Sequence, residues 1–167
     1  MNKIIKFIEK IYPLKSVIRY SNQLKITQES VAEHCYFVSL IVIKLREKYD
    51  FDLAHALKMA LMHDYSELNT GDVIFTFKTG NEEAKKFWEQ EELRSFKNID
   101  EQYTDLLQEF INQDTLEAII VKAADVMSVV VYANAEIALG NTKFRKIKSS
   151  SVKRLKAMFK KIKHFVD

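Results

Sequence analysis

His34, the adjacent pair His63-Asp64 and a lone Asp125 inside an apolar run are the residues of this 167-residue chain whose types and spacing could do chemistry. Two imidazoles and two carboxylates make a mixed nitrogen and oxygen donor set. It suits one borderline or hard divalent ion such as manganese, cobalt, zinc or iron, and it leaves positions open for water and substrate. The chemistry to which such a set points is metal-assisted hydrolysis.

The elements that must position these residues are helical. Val31, Cys35, Val38, Ile41, Val42 and Leu45 recur at helical spacing from Ser30 to about Lys48, and Ser30 with Glu33 three residues on forms a capping-box start. His34 falls on that apolar face. A second pattern predicts a helix from Asp52 to about Leu68, with Leu53, Leu57, Ala60, Leu61 and Leu68 inward, Asp64 on the same stripe and His63 one position round. A third, opened by Asp114 with Glu117 at the capping-box spacing, carries Leu116, Ile119, Ile120, Ala123, Met127 and Val130 around Asp125 and ends near Gly140-Asn141. An ionised carboxylate left alone in apolar surroundings costs several kcal/mol or takes up a proton. Any one of the four residues alone reads as a packing or capping group, whereas four turned inward together need a shared cation. His55, near a helix start, and His164, in a lysine-rich tail, lack that context and are expected to be solvated.

The string His63-Asp64-Tyr65-Ser66-Glu67-Leu68-Asn69-Thr70-Gly71-Asp72, preceded by Ser30-Val31-Ala32-Glu33-His34 and followed by Ala124-Asp125, resembles the HD-domain phosphohydrolases, most closely the bacterial HD-domain 5'-deoxynucleotidases. Arg19 lies fifteen residues before His34, as in that family, and the resemblance extends from Arg19 to about Phe144. It implies an all-α fold, a single HD-type helical domain over residues 1–167. It also implies that His34, His63, Asp64 and Asp125 bind one divalent metal ion, that Glu67 orients or deprotonates the attacking water, that Arg19 holds the substrate phosphate, and that Asp72 touches the sugar and selects deoxyribose. If the second helix persists, Glu67 projects from the same side as His63 and Asp64, beside the ion and not needed as a ligand. The guanidinium fork of Arg19 matches phosphate oxygens. The implied reaction releases a deoxynucleoside and phosphate from a 5'-monophosphate, and the implied assembly is a homodimer. Apolar positions of the terminal helix are one place for its interface.

The chain departs from the family in two places. Val73-Ile74-Phe75-Thr76-Phe77-Lys78 replaces the usual proline-containing loop, retaining the lysine, and Tyr20 stands where tryptophan is familiar, leaving a ring able to stack on the nucleotide. Lys78 is therefore a substrate-binding candidate. Three other readings compete. A triphosphohydrolase releasing tripolyphosphate would share the metal set and need extra cations, with Lys78, Lys85 and Lys86 as candidates. A guanosine tetraphosphate hydrolase would carry two successive acids where Glu67-Leu68 stands. A non-catalytic nucleotide-sensing module would have lost a ligand or the acid, and all are retained here.

Composition agrees with one helical domain: three glycines and one proline leave little for linkers or a many-turned β fold. Further helices are predicted from Asn2 to Tyr12, stopped by Pro13, from Asn81 to about Phe96, from about Asp100 to Ile111 and from about Ser150 to Phe165. The net charge of +3 is too small to require a polyanionic partner. The lysine-rich stretch from Lys143 to Lys163 reads as a solvated helix face, so no nucleic acid is expected. One cysteine, Cys35, excludes an intrachain disulfide. Lys3, Lys6 and Lys10 interrupt any signal-peptide core, and no apolar run reaches the roughly twenty residues of a membrane span. A cytoplasmic protein with no membrane partner is expected.

Overall fold

A computed structural model describes residues 1–166. Among them the chain forms nine α-helices and no strand: α1 (Asn2–Ile11), α2 (Val31–Arg46), α3 (Leu53–Met62), α4 (Glu67–Thr70), α5 (Phe75–Lys78), α6 (Glu82–Asp100), α7 (Thr104–Asn112), α8 (Leu116–Ala138) and α9 (Phe144–Val166). The all-α expectation holds. The core lies where α2, α3 and α8 meet, with α9 along α8 and α6 and α7 closing the opposite side. Its centre is built from small and β-branched residues, among them Val38, Val42, Ala56, Ala60, Ile120 and Ala123, each buried almost completely. These let the three helices approach closely enough for side chains from all of them to reach one point.

Helix α2 starts as read from the sequence: Ser30 Oγ accepts from Glu33 N at 3.2 Å and the Glu33 carboxylate accepts from Ser30 N at 2.7 Å. Other readings are corrected. The second helix does not run to Leu68; α3 ends at Met62, residues 63–66 turn, and the short α4 begins at Glu67. No glycine or proline marks that break, and Leu61, expected inward, is about half exposed. The cap of α8 is Thr115, whose Oγ1 accepts from Ala118 N at 3.1 Å, and not Asp114, while Glu117 accepts from Asp52 N at 2.8 Å and so ties α8 to the start of α3. The terminal helix begins at Phe144, earlier than Ser150, and its apolar residues Leu155, Met158, Phe159 and Ile162 pack into the core. Of the large apolar residues of this helix Phe165 and Val166 are exposed, and others are exposed on α2, at Tyr36, Phe37, Leu40 and Ile43. His55, expected to be solvated, meets Glu109 at 2.7 Å and links α3 to α7. No helix among the described residues is long and apolar enough to cross a membrane.

Glu136, on α8 and fully buried, fixes the segment before α2 that carries Arg19. Its carboxylate accepts from Ile26 N (2.8 Å), Thr27 N (2.7 Å), Thr27 Oγ1 (2.7 Å) and Asn141 Nδ2 (2.7 Å), and nearby Tyr132 donates to the Thr27 carbonyl at 2.7 Å. Burial alone would raise this carboxyl, but the donors outweigh burial and hold it down at about 2. A group depressed in the folded state adds stability that is present above its unfolded value and lost as the pH falls through its folded value. Glu136→Gln is therefore expected to reduce unfolding free energy by roughly 2 kcal/mol at pH 7, the scale of hydrogen bonds to a charged group. Urea unfolding curves of the two proteins should converge as the pH falls from about 4.5 toward about 2.

Candidate metal centre and substrate cleft

His34 projects from the first turn of α2, His63 and Asp64 sit in the turn that ends α3, and Asp125 lies mid-way along α8. The break after Met62 has a chemical use. Two adjacent residues on a continuing helix diverge by about 100°, whereas the turn at 63–66 brings both side chains to one place: His63 Nε2 is 3.3 Å and His34 Nε2 3.6 Å from Asp64 Oδ2. Asp125 Oδ1 is 3.3 Å from His34 Nε2. The four sequence-predicted ligands thus converge. Glu67 arrives by a different backbone route from the one expected, its amide bonded to the Asp64 carbonyl at 3.0 Å, yet its carboxyl is buried beside the same point.

The surroundings fit a cation. His34 Nε2, His63 Nε2 and Glu67 Oε2 are buried without a hydrogen-bond partner, and so is Arg19 Nε. Buried imidazole nitrogens aimed at two carboxylates, with nothing between, are the donor set of a divalent ion. His63 Nδ1 donates to the Ala60 carbonyl at 2.9 Å, which turns Nε2 toward Asp64. Burial works against a charged ring, but Asp64 outweighs it and holds the imidazole well above its usual range, so Nε2 yields its proton when a cation takes its place. Burial and then the Arg19 charge hold His34 low, at about 4, so the ring is neutral. Arg19 approaches His34 Nδ1 at 2.7 Å and Ser128 Oγ lies 3.1 Å from it. Arginine can only donate, so a ring in contact with it bears its hydrogen at Nε2. When Arg19 turns to another acceptor, Ser128 is in place to take an Nδ1 hydrogen and free Nε2. Burial presses on both aspartates, but His63 outweighs it at Asp64, holding that carboxyl well below the usual range, and Lys122 outweighs it at Asp125, with Nζ 2.9 Å from Oδ2.

Several of these supports are not visible in the spacing of the motif: Lys122, Ser128, and Glu29, whose carboxylate is 2.9 Å from Arg19. Cys35 also has a sharper place than the sequence suggested. Its sulfur, buried, shares a second close group with His63 and Asp64, all three ligand atoms lying within 4.8 Å of one another.

The quartet opens onto a cleft of about 560 Å³, lined by the turn around Tyr20, the α4–α5 segment, α6, α8 and α9. Arg19, Tyr20, Asp72 and Lys78 all reach it, but two of them differ from expectation. The Tyr20 ring stacks on Tyr132, with centroids 5.0 Å apart and planes 3° apart, and meets Phe144 edge-on, so it belongs to the wall and is not free to close over a ligand. Asp72 Oδ2 accepts from Tyr20 N at 2.7 Å, holding Tyr20 in the left-handed region at φ 54° and thereby setting the neighbouring Arg19. Gly71, at φ 69° and ψ 174°, makes the reversal that aims Asp72 there, a conformation open essentially to glycine. Lys78 is 3.4 Å from Glu67 and 2.5 Å from Glu92. Of the other cation candidates Lys85 lines the cleft and Lys86 does not; Phe75 lines it, whereas Phe77 does not and is largely exposed.

An HD domain family model matches residues 11–164. The chain belongs to that family. HD-domain proteins of this kind are metal-dependent phosphohydrolases, and the activity class of this chain is theirs. It is 27% identical to the 5'-deoxynucleotidase of Shewanella oneidensis, over 92% of this chain and 86% of that protein. Among solved structures, an HD-domain phosphohydrolase from Listeria innocua superposes with a TM-score of 0.79 at 23% identity, covering 98% of this chain and 85% of that one. The HD phosphohydrolase of cyanophage S-2L, solved with dA and one catalytic zinc ion, superposes at 0.69 with 16% identity, covering 89% and 82%.

Asp125→Ala removes one of the four converging donors and leaves three. Metal content after dialysis, measured by mass spectrometry, is expected to fall below half of wild type, with phosphohydrolase activity lost alongside. Full metal content with normal turnover would show that Asp125 is not a ligand.

Proposed function

We propose that this protein is a 5'-deoxynucleotidase of the HD-domain family, a single domain over residues 1–167 that hydrolyses deoxyribonucleoside 5'-monophosphates to deoxynucleoside and phosphate. The observation that carries the reading is the convergence, at one end of a nucleotide-sized cleft, of four buried polar atoms without partners, on His34, His63, Glu67 and Arg19, beside the Asp64 and Asp125 carboxylates. His34, His63, Asp64 and Asp125 would hold one divalent ion. Such an ion, when bound, makes a water acidic enough to ionise near neutral pH and offsets charge on phosphoryl oxygens.

The remaining steps belong to the chain. Glu67, buried at the start of α4 three residues after Asp64, takes the proton of the attacking water. Burial and then the Asp64 charge hold its carboxyl well above the usual range, the direction that suits proton exchange near neutrality. Arg19 leaves His34 for the phosphate: its Nε has no partner to lose, and the Nη1 that touches His34 stays tethered to Glu29 at 2.9 Å. As oxygen attacks phosphorus, the bond to the 5'-oxygen breaks, the proton taken up by Glu67 is returned to that oxygen directly or through water, and the deoxynucleoside departs down the cleft.

Charge supports a monophosphate over a triphosphate. The cleft is lined by five cations, Arg19, Lys78, Lys85, Lys122 and Arg154, against six carboxylates, Asp64, Glu67, Asp72, Glu89, Glu92 and Asp125. With one divalent ion the balance becomes slightly positive, which suits a dianion and is too little for a fourfold anion. The Shewanella oneidensis relative acts as a 5'-deoxynucleotidase and the phage structure holds dA with one zinc ion, and both accord with a deoxynucleoside in the cleft. A cytoplasmic location with no nucleic-acid or membrane partner, and a homodimer using the exposed α2 face, complete the reading.

Metal-stripped protein, reloaded with each of manganese, cobalt, zinc, iron and magnesium, is to be incubated with deoxy- and ribonucleoside mono-, di- and triphosphates and followed by phosphorus NMR. Inorganic phosphate from deoxynucleoside monophosphates is the expected product, and tripolyphosphate would transfer the protein to the triphosphohydrolases. In the same assay Glu67→Gln is expected to keep its metal and lose about a hundredfold or more in kcat. Loss of metal with rate would make Glu67 a ligand. Asp72→Ala is expected to lower the deoxy-to-ribo ratio of kcat/KM and, by loosening the Tyr20 amide, to raise KM for both sugars. An unchanged ratio would leave Asp72 as the anchor of Tyr20 alone.

A further inference from the structure

The cation of the cleft that the motif does not explain is Arg154. Ile147, Ser150, Ser151, Arg154 and Met158 form one stripe of α9 and line the cleft wall facing α5. Each other cation of the lining has an acid beside it: Arg19 has Glu29, Lys78 has Glu92, Lys85 has Glu89 and Lys122 has Asp125. Arg154 has none among the described residues. Its guanidinium carbon lies 4.0 Å from the centroid of the Phe75 ring, over the ring face. Burial lowers its affinity for protons, and the Asp125 carboxylate opposes this. A cation taken partly out of water, without an ion pair and held flat against one aromatic ring, has one open face and a row of N–H donors for a ligand.

We propose that Arg154 positions the nucleobase. It is a substrate-binding residue on the α9 wall of the cleft, with the base lying against the open face of the guanidinium so that Phe75, Arg154 and base form three layers. Nucleobases stack on guanidinium planes and accept hydrogen bonds at their edges. The neighbours favour this over a second phosphate: Val129, Ile147 and Met158 are apolar, and no second cation stands beside Arg154 free of an acid to share a phosphate charge. The inference rests on the reading of the cleft as a deoxynucleotide site, and it adds the element of this chain that carries base recognition.

The test uses the full-length, metal-loaded protein and two substrates that differ by the base, a deoxynucleoside 5'-monophosphate and 2-deoxyribose 5-phosphate. Arg154→Ala is expected to lower the ratio of kcat/KM between them by roughly three- to thirty-fold, through KM of the nucleotide, which is the range for a partly desolvated cation stacked on a ring. Arg154→Lys, which keeps the charge and loses the plane, should recover only part of that ratio, and Phe75→Leu should lower it by removing the support. Calorimetric titration with the four deoxynucleosides, which needs no turnover, should show the same order of affinities. An equal loss on both substrates, no change in the ratio, or a loss confined to triphosphates would each overturn the proposal. Circular dichroism of the variants separates loss of fold from loss of recognition. If wild type hydrolyses neither substrate, the deoxynucleotidase reading fails, while the deoxynucleoside titrations still decide the role of Arg154.

Discussion

Two aspartates held out of bulk water beside two neutral or proton-sharing imidazoles are the constraint around which this molecule is arranged. Asp64 and Asp125 sit within 3.6 Å of His34 Nε2, and burying their charges is tolerable only with opposite charge and hydrogen bonds supplied in place. Lys122 supplies part of that at Asp125 and His63 at Asp64. The rest of the requirement is a cation, which is why the same buried cluster that strains the fold is suited to bind one. Around it, the tight core of valine, alanine and isoleucine on α2, α3 and α8 is rigid enough to keep the donors from relaxing away.

Positioning passes outward from that cluster in two steps. Glu29 and Asp72 hold Arg19 and Tyr20, the first through an ion pair and the second through a backbone amide. Glu136 in turn holds the segment that follows them. Arg19 and Tyr20 are thus placed by carboxylates, whereas the core is placed by apolar packing. The α9 wall of the cleft mixes the two: it brings Ile147 and Met158 together with Ser150, Ser151 and Arg154.

Much of this was readable in the order of residues, for identifiable reasons. His34 and Asp125 fall on helices of strong apolar period, His63-Asp64 follow directly on a third, and the capping box at Ser30 was found where its residue types placed it. The break after Met62 was not readable, because apolar spacing continues through Leu68 and the turn is stabilised by contacts among His63, Ala60 and the other helices. Thr115 and Asp114 are both competent caps in adjacent positions, and only the entry angle of α8 selects between them. Glu29, Ser128 and Lys122 act through partners brought by folding. Arg154 is hidden in a basic stretch whose other members face solvent, so nothing in composition separates it from them.

The Glu136 clamp joins chain positions far apart: Thr27 and Glu136 are separated by 109 residues. Contacts of that span close late in folding, because they must first overcome the entropy of a long loop. During synthesis the segment bearing Arg19 leaves the ribosome well before α8 exists to receive it. The part of α8 that carries Asp125 is made first, and the segment bearing Arg19 is set only once Glu136, near the end of α8, and Asn141 have followed. A chain halted between Asp125 and Glu136 would carry His34, His63, Asp64 and Asp125 and still lack the clamp that fixes the Arg19 segment.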